Sequence, residues 1–199
     1  MFDKDMQIRG KHATYWKALT QTPGNAVDMS KNFKVFEAYI YVYMVAPIIG
    51  LINGRKGQYD PADDSKDTAG MLAEIQIKNA SKLKYIYRLI VLSDDSLGLT
   101  DEEKINMAFR EDNNEESVKK GMELYTAYFL GGLEILYEEF VQKCITDDDY
   151  VRKMFEFVSE FQEEQSIDDL TIDIESLLGS MIINNISNGI IITTNTIND

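Results

Sequence analysis

Apolar residues along this chain recur mostly at spacings of three and four with polar residues between them, a period that predicts helices. Residues 11–20 read as a short helix in which Trp16 and Leu19 share a face, closed by the turn-forming Pro23-Gly24-Asn25. Residues 33–52 are the most apolar stretch, where Phe33, Phe36, Ile40, Tyr43 and Met44 repeat with helical periodicity. Pro47 lacks an amide donor and is expected to kink or split this helix. Gly54 is placed to cap it. A polar loop over 57–68 leads to Thr68, read as the N-cap of a helix over 69–93. Its apolar positions are Leu72, Ile75, Leu83, Ile86, Leu89, Ile90 and Leu92.

Thr100-Asp101-Glu102-Glu103 has the form of a capping box and predicts a helix to Arg110, with Ile105, Ala108 and Phe109 turned inward. A long helix over 115–145 follows, with Leu124, Ala127, Tyr128, Leu133, Leu136, Phe140 and Val141 as its stripe. Gly131-Gly132 in its middle costs about 1 kcal/mol per glycine, and such a pair predicts a kink or a close helix crossing. Thr146 caps an amphipathic helix to about Glu164, and Ser166 could start one more short helix. Residues 181–198 change character, and Asn188-Gly189 between two Ile-rich runs is a hairpin signal, with a frayed tail as the competing reading. The expected fold is mainly α: a compact multi-helix bundle of six to seven helices over 1–180, with a C-terminal β-hairpin or tail over 181–199. Such a hairpin needs a second surface to pack on, so a homodimer through the tail is expected.

Composition narrows the class. Hydrophobic residues make up 44% of the 199 and charged residues 27%, which suits a globular chain. A single cysteine, Cys144, precludes an intrachain disulfide and favours a reducing, cytoplasmic setting. Met1–Asp5 is charged and does not read as a signal peptide. The apolar run Val42–Ile52 is too short to span a bilayer, so no membrane partner is expected.

The net charge of −14 is unevenly distributed: residues 1–100 carry 13 Lys and Arg against 11 Asp and Glu, and residues 101–199 carry 7 against 23. Acidic helices that solubilise the second half account for this, as does a polarised molecule with a weakly basic face. The total argues against sequence-independent DNA binding as the main role, because phosphate contacts need clustered cations.

Candidate chemistry is sparse. His12 is the only histidine, which removes two-histidine zinc sites and paired Glu-x-x-His di-iron sites, and it reads as a surface or packing residue. Cys144 lies at a helix C-terminal end, where the dipole does not favour a thiolate, and reads as packing. The loop from Asp94 has Ile105 where a calcium loop needs Glu. Glu134, Glu138 and Glu139 read as a solvated face, with a metal-dependent enzyme as the sharper alternative. No phosphate-binding or dinucleotide glycine motif is present, and no cofactor or catalytic residue is assigned. Lys78, Lys82, Lys84 and Arg88 spread over somewhat more than one helical face. Together with Lys31, Lys34, Arg55 and Lys56 they are the candidates for nucleic-acid or partner contact, against a plain solvated face.

Three segments carry a family resemblance: Phe36 to Asp60, ending Ile49-Gly50-Leu51-Ile52-Asn53-Gly54-Arg55-Lys56; Leu89-Ile90-Val91-Leu92; and Tyr128-Phe129-Leu130-Gly131-Gly132-Leu133-Glu134-Ile135-Leu136. Their order and spacing, over roughly residues 30–140, resemble small accessory proteins associated with bacterial DNA phosphorothioation (Dnd-type) defence systems. The resemblance implies an accessory role in restricting foreign DNA, through contact with DNA or with a larger defence subunit, and brings no catalytic residues with it. The expectation is therefore a non-enzymatic interaction protein of such a system, with Arg55, Lys56, Lys78, Lys82 and Arg88 as contact residues. An acidic regulator or DNA mimic that blocks a DNA-binding partner is the alternative raised by the 23 acids after residue 100.

Overall fold

The structure, a computed structural model, describes residues 1–20, 34–59 and 66–164. Seven α-helices and one two-stranded sheet occupy those residues. In chain order they are β1 (Met6–Arg9), α1 (Lys11–Thr20), α2 (Tyr39–Ile52), β2 (Thr68–Met71), α3 (Ala73–Lys78), α4 (Ala80–Ser93), α5 (Asp101–Phe109), α6 (Glu115–Tyr137) and α7 (Asp147–Glu164). The fold is mainly α, as the periodicity predicts. The chain divides after Met154 into two units, and the described part of the second is the end of α7. The C-terminal hairpin, and the dimer built on it, lie outside the described residues. Among the described residues, no helix is long and apolar enough to cross a membrane.

Helix α6 is the element on which α1, α2, α4 and α5 all pack, and its contact with α2 is the most extensive in the molecule. Two glycines make that contact close. A Cβ on Gly132 would lie deep inside the van der Waals shell of the Ala46 carbonyl, and one on Gly50 would meet the Tyr128 carbonyl in the same way. The Gly131-Gly132 pair thus serves a close crossing, one of the two outcomes its sequence predicts. Around the seam Trp16, Tyr43, Tyr125 and Phe129 are all buried, with Tyr43 edge-on to Tyr125 and Phe129 at ring-centroid distances of 5.2 and 5.0 Å.

Pro47 does not split α2, which runs unbroken from Tyr39 to Ile52. A proline at 47 leaves the Tyr43 carbonyl, four residues back, without its helical donor. The buried hydroxyl of Tyr125, on α6, donates to that carbonyl at 2.8 Å. The neighbouring helix therefore satisfies the group the proline orphans, and the break that proline normally causes does not develop. At the other end Gly54 takes φ +60°, and the Arg55 amide donates to the Gly50 carbonyl at 2.8 Å, so the predicted glycine cap forms.

Two expectations are corrected around residue 70. Thr68 does not cap a helix over 69–93: Thr68–Met71 is a strand pairing antiparallel with Met6–Arg9, Ile8 opposite Ala69 and Met6 opposite Met71. Each four-residue strand is too short to show a period of its own, and the hydrogen bonds come from a partner about 60 residues away. The helix that follows is interrupted at Asn79, whose side-chain amide donates to the Ile75 carbonyl at 2.9 Å and closes α3. The long helix 115–145 also ends early. After Tyr137 it widens into a π turn, Glu138–Gln142, a local under-winding often found where side chains carry a specific task. The Thr100–Glu103 capping box forms as predicted.

Two stability measurements test the seam. Tyr125→Phe leaves the Tyr43 carbonyl buried and unpaired and is expected to cost about 2 kcal/mol in urea unfolding. In a Pro47→Ala background the restored amide takes over, so the same change should cost about 1 kcal/mol less; equal costs in both backgrounds would discard the account of Pro47. Gly132→Ala, which forces α2 and α6 apart, should destabilise by about 3 kcal/mol or abolish folding.

Candidate functional site

The predicted contact residues fall in different places. Arg55 and Lys56 follow the glycine cap of α2 and cross α6, where the Gly57 amide donates to the Ala127 carbonyl at 2.8 Å. There the guanidinium of Arg55 bonds two carboxylates four residues apart, Glu134 of α6 and Glu138 of the π turn that follows it. Its Nη2 lies 2.9 Å from Glu134 Oε2 and 2.7 Å from Glu138 Oε1, and its Nη1 lies 2.8 Å from Glu138 Oε2. Glu134 is neutralised further: Lys11 Nζ and His12 Nε2 each lie 2.9 Å from its Oε1. A carboxylate only accepts, so the His12 nitrogen that faces it carries the proton. Burial pushes the Glu134 carboxyl up, but Lys11, His12 and Arg55 outweigh it and hold the group below its usual range.

The expectation of a solvated Glu134–Glu138–Glu139 face is therefore corrected. Glu134 is largely shielded and bound by Lys11, Arg55 and His12, and Glu139 is paired with Lys143 and, at 2.7 Å, with Lys153. Carboxylates already matched by cations offer no net negative charge to a metal, and among the described residues no group of three or more His, Cys, Asp and Glu is placed to hold one. His12 is buried and edge-on to Tyr15 and Tyr59, which makes it a packing and pairing residue rather than a surface one.

Lys56 is engaged as well. Its ammonium lies 2.7 Å from Asp94 Oδ2, at the C-terminal end of α4, and 4.9 Å from the centroid of the Tyr128 ring. The Asp94 carboxylate also accepts from the Ser96 amide at 2.7 Å and from the hydroxyls of Ser96 and Tyr128. Burial opposes ionisation of Asp94, but the Lys56, Ser96 and Tyr128 bonds prevail and lower its carboxyl from 3.8 to about 2. Burial and this same carboxylate push the Tyr128 phenol well above its usual range. Cys144 is buried, its Sγ donates to the Glu139 carbonyl at 3.5 Å, and burial pushes the thiol up, in keeping with a packing role.

Lys78, Lys82 and Arg88 lie apart from these networks. Lys78 ends α3 and pairs with Glu74 at 2.8 Å in an exposed i,i+4 bridge. Lys84 pairs with Asp112 at 2.7 Å. Lys82 is exposed and has no carboxylate partner among the described residues. Arg88 donates through Nε to the Ala108 carbonyl at 3.0 Å and lies 4.8 Å from the centroid of Phe109, which ties α4 to α5.

Helix α5 is turned against expectation. Ile105 and Phe109, predicted to face inward, are 45% and 52% exposed, whereas Lys104 is 5% exposed. The Lys104 ammonium reaches the Leu92 carbonyl at 3.5 Å and Asp95, and Met107 and Ala108 are buried beside it. Across the seam on α4, Tyr85 and Leu92 are 48% and 37% exposed, at i and i+7 with Arg88 between them. Four large apolar side chains thus lie exposed on the α4–α5 pair around Arg88, whose charge, with that of Lys84, helps hold the Asp112 carboxyl below its usual range.

No family model, curated protein or solved structure matches the chain at a significant level. What these surfaces can do follows from their own chemistry. The Arg55 and Lys56 networks join elements, and the α4–α5 pair is one of several places where large apolar side chains are exposed, with Leu72 and Ile77 around α3 and Ile145 before α7 among the others. Sequence reasoning named Lys82 and Arg88 on α4 but assigned Ile105, Phe109 and Leu92 to helix interiors. One signal for them exists: Tyr85, Ile86, Leu89, Ile90 and Leu92 cover more of α4 than a single inward stripe needs.

The Asp94 network has a pH signature. Its carboxyl titrates lower in the folded chain than its ordinary value of 3.8, so its stabilisation is complete above pH 5 and is lost as pH falls through 3.8 towards 2. That contribution is about 2 kcal/mol. Urea unfolding from pH 6 to pH 2.5 should show Asp94→Asn less stable than the parent at pH 6 and the gap narrowing in acid. A gap that does not narrow would remove the network from the account.

Proposed function

We propose that this chain is an interaction protein, an accessory subunit of a bacterial DNA-modification or phage-defence system, which works by docking on a larger protein rather than by catalysis. One observation carries the reading. Helix α5 buries Lys104 and leaves Ile105 and Phe109 in solvent, beside Tyr85 and Leu92 of α4. Turning a lysine in and large apolar residues out contradicts the local preference of every residue concerned, and such conflicts concentrate where a surface has a second task. Contiguous exposed apolar residues are the mark of a docking surface.

The resemblance of residues 30–140 to phosphorothioation-associated accessory proteins supplies the defence context. A protein partner is favoured over DNA itself, because Arg55 and Lys56 are spent on Glu134, Glu138 and Asp94, and the net charge of −14 repels phosphate. The DNA-mimic reading rests on composition alone.

The test is recovery of the tagged chain from its native host at native expression level. A larger subunit of a DNA-modification or restriction system is expected in near-stoichiometric amount, and deletion of the gene should lower restriction of incoming phage or plasmid DNA by about tenfold. Recovery of the chain alone, with restriction unchanged, would overturn the proposal.

A further inference from the structure

We infer that residues 2–9 form a strap that opens about Gly10 while the α2–α6 body stays folded, with the ring of Phe2 as its latch. Among the described residues, Phe2 is the one residue other than glycine with a positive φ, +58°. A bulky L side chain rarely adopts that conformation, and it persists only where the surroundings enforce it. Here the enforcement is aromatic. The Phe2 ring is buried and edge-on to Tyr125, Tyr43 and Tyr87, at centroid distances of 5.5, 6.3 and 6.5 Å. Those tyrosines belong to α6, α2 and α4, so one side chain fastens the strap to three helices.

Beyond the latch, the strap is tied mainly to residues 68–78. Strand β1 pairs with β2 over four residues, Asp5 Oδ1 accepts from the Ala73 amide at 2.8 Å, and the Lys4 carbonyl accepts from Gln76 Nε2 at 2.5 Å. Gln7 and Arg9 are exposed, and so are Gly70 and Thr68 opposite them, which leaves one face of the ladder to water. Of residues 2–9 only Phe2 and Ile8 are buried. A segment with few buried side chains and a short, wet ladder belongs to the low-stability end of a fold. Gly10, at φ +72°, stands between β1 and α1, and a glycine tolerates the backbone rotation that a swinging strand requires.

Opening relieves two costs at one place. Phe2 returns to a relaxed backbone, and water gains access to the ring of Tyr87, whose buried hydroxyl has no hydrogen-bond partner among the described residues. Opening also uncovers the parts of Tyr43, Tyr87 and Tyr125 that Phe2 covers, so the strap gates the aromatic cluster at the α2–α6 crossing.

Hydrogen exchange of the full chain across a urea series, read by mass spectrometry, tests the strap. Peptides covering 2–9 and 68–71 should exchange together, about a hundredfold faster than those covering α2 and α6 and with a shallower dependence on urea. Phe2→Ala should speed exchange of 2–9 and 68–71 about tenfold or more, because the contacts it deletes are ones that opening breaks. A disulfide between Met6→Cys and Met71→Cys, which sit opposite each other at a separation a disulfide can bridge, should abolish the fast exchange, and reduction should restore it.

Strands that exchange only with α2 and α6, at the same rate and urea dependence, would overturn the inference. So would a strand exchange rate unchanged in Phe2→Ala, since the ring would then stay seated during opening. Fast exchange that persists in the oxidised cysteine pair would overturn it as well. The parent and the cysteine pair decide the matter alone if Phe2→Ala does not fold.

Discussion

The close crossing of α2 and α6 is the constraint on which the rest of the molecule depends. It exists because Gly50 and Gly132 let backbone meet backbone, and because Tyr125 satisfies the carbonyl that Pro47 leaves without a donor. Each of these features destabilises a helix taken by itself: glycine by entropy, proline by a missing hydrogen bond. Together they permit an approach that larger residues would forbid, and the aromatic cluster of Trp16, Tyr43, Tyr125 and Phe129 closes around it. Helix α2 is stable because of where it packs, not because of its own propensity.

That crossing also decides the fate of the charges. By delivering Arg55 and Lys56 directly across α6, it sets them against Glu134, Glu138 and Asp94. The Glu134 carboxylate gathers Lys11, His12 and Arg55, and so links the start of α1, the segment after α2 and the last turn of α6. Breaking such a cluster is costly because each partner removed leaves a shielded charge behind. Its geometry is that of a clasp between elements, which accounts for an only histidine that is buried and paired.

With those cations and carboxylates spent on one another, the α4–α5 pair stands out by its chemistry. There the fold accepts a buried lysine and exposes Ile105 and Phe109, while Arg88 bridges the helices through a backbone carbonyl and an aromatic ring.

Much of the architecture is legible in the sequence. Helical periodicity marks α1, α2, α4, α6 and α7, the Thr100–Glu103 box forms, Gly54 caps α2, and Gly131-Gly132 signals the crossing. These are local: each needs only residues within a few positions of one another. What the sequence alone did not determine is long-range. The pairing of Met6–Arg9 with Thr68–Met71, the continuity of α2 through Pro47, the pairing of Arg55 with Glu134 and the outward turn of Ile105 and Phe109 each depend on a neighbour distant along the chain. Periodicity says that a helix has an apolar face but not which neighbour will claim it. In α5 the Leu92 carbonyl and Asp95 claimed Lys104 instead, and only the tertiary structure could decide that.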